Sequence, residues 1–129
     1  MRSTVLIFIL LFVFIPKTHN EEIGQASWYS LNDPTDPWPH TTTASGEPFD
    51  ENSLTCALRS RDFGGYYQVT NPANYKSVIV KHTDFGPAFK YKGRKLNRKI
   101  DLSKAAFAKI ADLNTGIIKV SIEKIGRLK

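Results

Sequence analysis

The chain has 129 residues, 41% of them hydrophobic, and its 18 Lys and Arg against 12 Asp and Glu give a net charge of +6. This length predicts a single domain. The one cysteine excludes an internal disulfide framework, so an exported domain of this kind must be held together by packing alone. The three histidines have no partners at metal-ligand spacing, and we expect no metal and no cofactor.

The first twenty residues have the order of a secretory signal. A basic start at Arg2 precedes an apolar run from Val5 to Ile15, which Pro16-Lys17 ends. The run is too short to cross a bilayer comfortably, so we predict a signal peptide at 1–20 whose cleavage point no small-residue motif fixes. An uncleaved anchor is the alternative. Because no cysteine stands directly after the run, we expect a secreted, periplasmic or cell-envelope protein that is not a lipoprotein.

Four β-strands are predicted from alternation and β-branched content. The first runs from Ile23 to Ser30, and the last is centred on Ile118 to Glu123, where apolar and polar residues alternate. Between them, Tyr66 to Thr70 and Ser77 to His82 form a hairpin joined by a loop over Asn71 to Asn74.

Two short helices complete the predicted elements. Asp50 or Asn52 is expected to cap a helix through Leu58, and Ser103 to cap a second one that reaches Leu113. Several short strands with two short helices predict a mainly β protein built as a closed barrel. Segments 31–40, rich in proline, and 88–99, rich in Lys and Arg, are expected to be loops.

Two short motifs each place a carboxylate beside a turn-forming glycine. Glu47 follows Thr43-Ala44-Ser45-Gly46, and Asp84 lies in Thr83-Asp84-Phe85-Gly86-Pro87. If the fold brings Glu47 and Asp84 together, they form a pair suited to acid–base work on a glycosidic bond. The alternatives are structural: Asp84 as a turn cap, and Glu47 as a surface acid.

Six sequence pieces stand in a fixed order: Gly24-Gln25-Ala26-Ser27-Trp28-Tyr29, Thr43-Ala44-Ser45-Gly46-Glu47-Pro48-Phe49-Asp50, Leu54-Thr55, Val69-Thr70-Asn71, Asp84-x-Gly86-Pro87, and Ile100-Asp101-Leu102-Ser103-Lys104-Ala105-Ala106. In this order the chain resembles the rare lipoprotein A (RlpA) family, and the resemblance places one domain at 23–126. It implies a six-stranded double-psi β-barrel with two short helices. It also implies an exported lytic transglycosylase that cleaves peptidoglycan glycan strands, preferably those lacking stem peptides, to 1,6-anhydromuramic products.

The resemblance assigns the acidic active-site positions to Glu47 and Asp84. We expect Asp84 to protonate the leaving oxygen and then act as base, and Glu47 to raise its pKa or to stabilise the transition state. Where the family has a His this chain has Leu58, and where the family has an Arg it has Phe85. Asp101 is expected only to cap or brace the helix that begins near Ser103.

The predicted substrate contacts carry a hydroxyl, an aromatic ring or a positive charge. If the substrate is the one that the resemblance implies, Lys and Arg complement the lactyl carboxylates of strands without stem peptides. The expected partner is therefore the peptidoglycan glycan strand, bound by a monomer with no stable membrane anchor unless the signal is retained. Nucleic acid is not expected, because only one aromatic residue interleaves the basic cluster. The contacts are Thr43, Ser45, Trp38, Tyr29, Tyr91, Lys90, Lys92 and Arg94.

Two other functions remain open from the sequence. The first is a barrel that binds or loosens a cell-wall polysaccharide without cutting it, which Leu58 and Phe85 favour. The second is a secreted inhibitor or effector that uses the barrel loops on a protein partner.

Overall fold

Six strands close into a barrel in the computed structural model, which describes residues 21–31, 41–88, 90–95 and 97–128. In chain order the strands are β1 Glu21–Tyr29, β2 Thr55–Leu58, β3 Gly65–Asn71, β4 Lys76–Phe85, β5 Lys90–Tyr91, β6 Arg94–Lys95, β7 Arg98–Ser103 and β8 Ile118–Arg127. The barrel order is β1-β7-β2-β4-β3-β8, and β5 pairs with β6 in a separate hairpin.

Two neighbouring pairs in the barrel are parallel, β1 with β7 and β2 with β4. The other four pairs are antiparallel. Parallel neighbours cannot be joined by a hairpin and need a crossover connection, so these pairs bring together strands that are far apart in the chain. The predicted six-stranded barrel and the predicted β3–β4 hairpin are confirmed.

Alternate residues of the barrel strands face inward and form one core. Each fully buried aliphatic side chain contributes about 1.5–3 kcal/mol relative to an exposed one. Cys56 is fully buried in this core, and burial raises the pKa of its thiol. The fully buried aliphatic side chains that the strands contribute to this core include Val69, Val80, Ile100, Leu102 and Val120.

One end of the barrel is closed by helix α1, Lys104–Ile110. Ser103 caps it as predicted, since its Oγ accepts a hydrogen bond from the Ala106 amide at 3.2 Å. A helix of seven residues is too short to be stable alone. Its buried Phe107 and Ile110 therefore hold it against the barrel.

Side-chain amides satisfy the carboxyl end of α1. The Nδ2 atoms of Asn71 and Asn74 donate to the Ile110 carbonyl at 2.8 and 2.9 Å. The helix was expected to reach Leu113, but Leu113–Thr115 forms a separate 3-10 turn, whose Leu113 carbonyl accepts from Trp28 Nε1 at 3.0 Å. No helix among the described residues is long and apolar enough to cross a membrane.

Two further predictions of local structure are wrong. The helix expected from Asp50 through Leu58 is a turn followed by β2, because 55–58 pair with β4 on one side and β7 on the other. Asp50 caps only the turn, accepting from the Asn52 amide at 2.9 Å. The segment expected to be a loop over 88–99 contains the β5–β6 hairpin, where Lys92 and Gly93 take the positive φ of a two-residue turn, and the start of β7.

Candidate active site

A bulge in β4 turns Asp84 to the outside of the barrel. The register of β2 against β4 runs Cys56 with His82 and then Ala57 with Asp84, so Thr83 is passed over. His82 is fully buried inside the barrel. Without the extra residue Asp84 would keep the same parity as His82 and point inward, so the bulge aims its carboxylate outward.

The loop that carries the first motif docks on this end of β4. The Ser45 amide donates to the Thr83 carbonyl at 3.0 Å, and the Ala44 amide donates to Asp84 Oδ1 at 3.0 Å. Thr43 is buried, and its Oγ1 lies 2.8 Å from Ser45 Oγ and donates to the Glu47 carbonyl at 2.9 Å. The hydroxyls of Thr43 and Ser45 therefore shape the loop that holds Asp84.

Three donors fix the Asp84 carboxylate. Oδ1 accepts from the amides of Ala44 and Phe85, at 3.0 and 2.9 Å, and Oδ2 accepts from the Tyr29 hydroxyl at 3.3 Å. Tyr29 is held by stacking on Phe49, with ring centroids 4.6 Å apart. Burial raises the pKa of Tyr29, and the nearby charge of Asp84 raises it further, so this hydroxyl stays protonated and keeps its role as a donor.

Glu47 reaches the same outer face through Lys81. Its Oε1 lies 2.8 Å from Lys81 Nζ, and this hydrogen bond raises the pKa of the lysine. Lys81 pairs with Thr55 and Asp84 with Ala57, two residues apart on β2, so both point to one face. The structure thus places Glu47 and Asp84 on one face, but the carboxylate of Glu47 is bonded to Lys81.

A third carboxylate on this face is Asp101, which was expected from the sequence only to cap or brace helix α1. Asp101 lies in β7, where it pairs with Ser27 of β1 and with Ala57 of β2. The Ser27 hydroxyl donates to Asp101 Oδ1 and accepts from Arg98 Nη1 at 3.0 Å. Because Ala57 pairs with both Asp84 and Asp101, the two acids share a face, with Cα atoms two strand spacings apart, roughly 10 Å.

Gly86 lies between the two acids. A Cβ at this position would meet the Ala57 Cβ at 3.9 Å and Asp101 Oδ2 at 4.0 Å, and its φ of 147° suits glycine. The signal for Asp101 was present in the sequence, since it stands between the buried Ile100 and Leu102 and must point to the opposite side of the strand. We call the outer surface that carries Glu47, Asp84 and Asp101 the acidic face.

The two positions that differ from the family pattern, Leu58 and Phe85, pair with each other across β2 and β4. Phe85 is 43% exposed beside Asp84, and the Arg61 guanidinium lies 4.6 Å above its ring. A positive charge therefore stands close to the place where the family has an arginine, but it comes from the turn after β2. Leu58 is half-buried and lines a hollow at the open end of the barrel.

The remaining predicted contacts are only partly placed. Trp38 lies outside the described residues, as do the side chains of Lys90 and Tyr91, whose backbone forms β5. Lys92 and Arg94 are exposed on the β5–β6 hairpin. No group of three His, Cys, Asp or Glu side chains within the described ranges is arranged to hold a metal ion.

Sequence comparison identifies the relatives of this chain. A family model described as lytic transglycolase matches residues 21–122. The probable endolytic peptidoglycan transglycosylase RlpA of Treponema pallidum is 43% identical over 101 residues, which are 78% of this chain and 28% of that protein. The endolytic peptidoglycan transglycosylase RlpA of Neisseria meningitidis is 38% identical over 115 residues, 87% of this chain and 44% of that protein. The chain thus spans less than half the length of these curated relatives.

Solved structures share the fold at lower identity. The Streptomyces papain inhibitor superposes with a TM-score of 0.61 at 23% identity, over 83% of this chain and 96% of that one. An expansin of Clavibacter michiganensis gives 0.59 at 24% identity, over 84% of this chain and 52% of that one. These two likenesses establish the fold alone. The family match covers most of the chain, and the protein therefore belongs to the lytic transglycolase family, among the RlpA-like double-psi β-barrels.

Proposed function

We propose that the protein is an exported lytic transglycosylase that cleaves the glycan strands of peptidoglycan, with Asp84 as its acid and base. The supporting observation is the acidic face, where three donors fix the Asp84 carboxylate and Asp101 stands two strands away. The type of reaction and the polymer in this proposal are taken from the names of the RlpA relatives. Export rests on the apolar run from Val5 to Ile15.

The reaction breaks the bond between C1 of N-acetylmuramic acid and the oxygen of the next N-acetylglucosamine. The Asp84 carboxyl group gives its proton to that leaving oxygen as the bond breaks. It then takes the proton of the muramic C6 hydroxyl, whose oxygen forms a new bond to C1 and closes the 1,6-anhydro ring. Asp84 ends in its starting state, and no water is consumed.

Asp101 has a different task in this proposal. The hydrogen bond from the Ser27 hydroxyl fixes the orientation of the Asp101 carboxylate. Arg98 donates a hydrogen bond to the same hydroxyl and so holds it in place. A fixed negative charge on this face stabilises the positive charge that develops at C1 in the transition state. Glu47 adds charge at the far side of the face, where its bond to Lys81 also anchors the loop that holds Asp84.

The test is product release from purified glycan strands without stem peptides. The wild-type protein should release 1,6-anhydro products, detected by mass spectrometry, and Asp84→Asn should release none above background. Asp112→Asn is the matched control, because it makes the same chemical change at an exposed turn cap in the connection after α1. Equal product from wild type and Asp84→Asn between pH 4 and 8 would show that Asp84 is not the catalyst.

A non-catalytic barrel that binds or loosens the wall is the second candidate, favoured by one observation. Leu58 and Phe85 replace the His and Arg of the family pattern, and Leu58 turns its side chain away from the acidic face toward the open end of the barrel. A Glu47→Gln, Asp84→Asn double variant that binds insoluble peptidoglycan as well as wild type, with no soluble product from either protein, would support this second function.

A further inference from the structure

The end of the barrel opposite α1 is open and holds a hollow of about 380 Å³. Leu58, Tyr67 and Ile122 line it from inside the barrel. Charged residues lie around it, at the start of β1 and β7 and at the end of β8, and they include Glu22, Lys99 and Lys124. An apolar lining under a charged rim can hold a ligand that has both a hydrocarbon surface and ionised groups.

A second hollow of about 560 Å³ adjoins the first, because Arg59 and Lys99 line both. It adds Lys95 and Lys119 to the cations. The carboxylate of Glu22 is the acidic side chain among the residues that line the two hollows. We call this surface the basic mouth; its cations are Arg59, Lys95, Lys99, Lys119 and Lys124.

Lys99 is built into the mouth by a neighbouring glycine. A Cβ on Gly24 would clash with Lys99 Cγ, so the lysine stem crosses β1 only because residue 24 has no side chain. The stem ends in an ion pair with Glu22, with Nζ and Oε1 3.0 Å apart. Part of the mouth is thus held in place before any ligand arrives.

Two other cations keep their full charge available. Among the described residues, Lys95 and Lys119 form no ion pair, and both are exposed. The ion pair of Lys124 with Asp62 is long, at 3.9 Å, and Arg127 is the closer partner of that carboxylate. The mouth therefore carries an excess of positive charge, which attracts anions over a distance of about 10 Å at 0.1 M salt.

The basic mouth begins one residue from the acidic face. Ala57, between Asp84 and Asp101, is followed by Leu58, whose side chain lines the mouth. Arg59 donates to the carbonyls of Pro87 and Ala88, at 2.8 and 3.0 Å, just after the Asp84 motif. A polymer that lies across Asp84 and continues past the end of β2 therefore meets these cations.

We propose that the basic mouth binds carboxylates of the glycan strand on one side of the cleaved bond. This inference rests on the proposed function for the identity of the polymer. Strands without stem peptides carry an ionised lactyl group on each muramic residue. Several lysines spread around an opening suit such a repeated charge, because long flexible side chains can follow a polymer in more than one register.

The test compares an anionic with a neutral oligosaccharide. Binding of muramic-acid-containing oligosaccharides from strands without stem peptides, and of chitin oligosaccharides of equal length, is measured by calorimetry in the Asp84→Asn background, which prevents cleavage. Adding Lys95→Gln with Lys119→Gln should weaken binding of the anionic oligosaccharide about tenfold and leave the neutral one unchanged. The matched control, Lys76→Gln with Lys109→Gln, removes the same charge from two other exposed lysines and should change neither.

The outcomes separate this inference from the proposed function. Unchanged binding of the anionic oligosaccharide by the Lys95, Lys119 variant, or an equal loss for the neutral one, would overturn the role of the mouth even if the wild type releases anhydro products. A selective loss of anionic binding supports the mouth even if the wild type cuts nothing. Circular dichroism of each variant checks that the fold is retained.

Discussion

The acidic face and the basic mouth are adjacent, but their charged groups are held in different ways. Asp84 accepts hydrogen bonds from two backbone amides and the Tyr29 hydroxyl, and Asp101 accepts one from the Ser27 hydroxyl, so both carboxylates are fixed by hydrogen bonds. Lys95 and Lys119 stand on long side chains without an ion pair among the described residues. Proton transfer needs a fixed donor, whereas attraction of a flexible polyanion does not.

Strand alternation is what separates these two surfaces. Ala57 and Leu58 are neighbours on β2, and their side chains point to opposite sides, one toward the acids and the other toward the mouth. Substitutions in the two regions should therefore divide into effects on turnover and effects on binding.

The largest effect is expected from Asp84→Asn. Loss of the proposed acid and base should lower kcat by roughly 10²–10⁴, because that is the usual contribution of general acid–base catalysis. The binding constant for an uncleaved oligosaccharide should change by less than about threefold, since the amide keeps the size of the carboxyl group and most of its partners. An Asp84→Asn variant with normal kcat but weakened binding would contradict the assignment of turnover to the acidic face and of binding to the basic mouth.

Asp101→Asn is expected to lower kcat by roughly 10- to 100-fold, because it removes a fixed charge without removing the proton donor. Ser27→Ala, which removes one hydrogen bond to the same carboxylate without neutralising it, should cause a smaller loss. The measurements are steady-state rates and melting temperatures. A lower rate at an unchanged melting temperature would show that the effect arises at the acidic face and not from a loss of stability. Equal rates for Asp101→Asn and wild type would limit Asp101 to a structural role.

Glu47→Gln is expected to lower kcat by about tenfold or less, since its carboxylate is bonded to Lys81 at the edge of the face. Lys81→Met tells how Glu47 acts. If Glu47 only anchors the loop over Asp84, removing either partner should have the same effect on kcat. If its charge acts on the substrate, Lys81→Met should retain more activity than Glu47→Gln.

Salt should affect the mouth more than the face. Raising the ionic strength from about 0.05 to 0.5 M should increase KM for the anionic strand several-fold and leave kcat within about twofold, because exposed charges are screened and bonded ones much less so. The Lys95→Gln, Lys119→Gln variant should show a weaker dependence of KM on salt. A salt dependence that appears mainly in kcat would contradict the expectation that salt weakens binding at the mouth more than it affects catalysis at the face.

The smallest effect concerns Tyr29 and stability at alkaline pH. Burial and the charge of Asp84 raise the pKa of Tyr29 above its ordinary value of 10.0, so the fold favours the neutral phenol. Its contribution to stability is complete below pH 10 and is lost as pH rises above that value, because only the unfolded chain then ionises freely. Denaturant melts of wild type and Tyr29→Phe between pH 8 and 11 should show a flatter decline for the variant; parallel declines would refute this assignment.

Much of the fold was predictable, because local pattern and burial agree. The alternation in β8, the β3–β4 hairpin and the Ser103 cap each follow from a few neighbouring residues. The helix expected through Leu58 was wrong because pairing to strands on both sides outweighed the helix propensity of a short apolar segment.

The site was predicted less completely, for a reason that concerns register. Glu47 and Asp84 were proposed as an acid pair from turn motifs, and the structure places both on one face. The direction of the Asp84 side chain depends on the bulge at Thr83, which no local sequence pattern predicts. The outward direction of Asp101 was predictable from its apolar neighbours. Its closeness to Asp84 depends on Ala57, which is far from both in the sequence and pairs with both in the sheet.

The burial of Cys56 gives this protein a built-in reporter of opening. Its thiol is fully buried and its pKa is raised, so in the folded chain it is neither accessible nor ionised at neutral pH. Reagents that modify thiols should therefore label it only when the barrel separates at β2. Since the chain has one cysteine, the labelling rate measures how often that separation occurs, without any engineered probe.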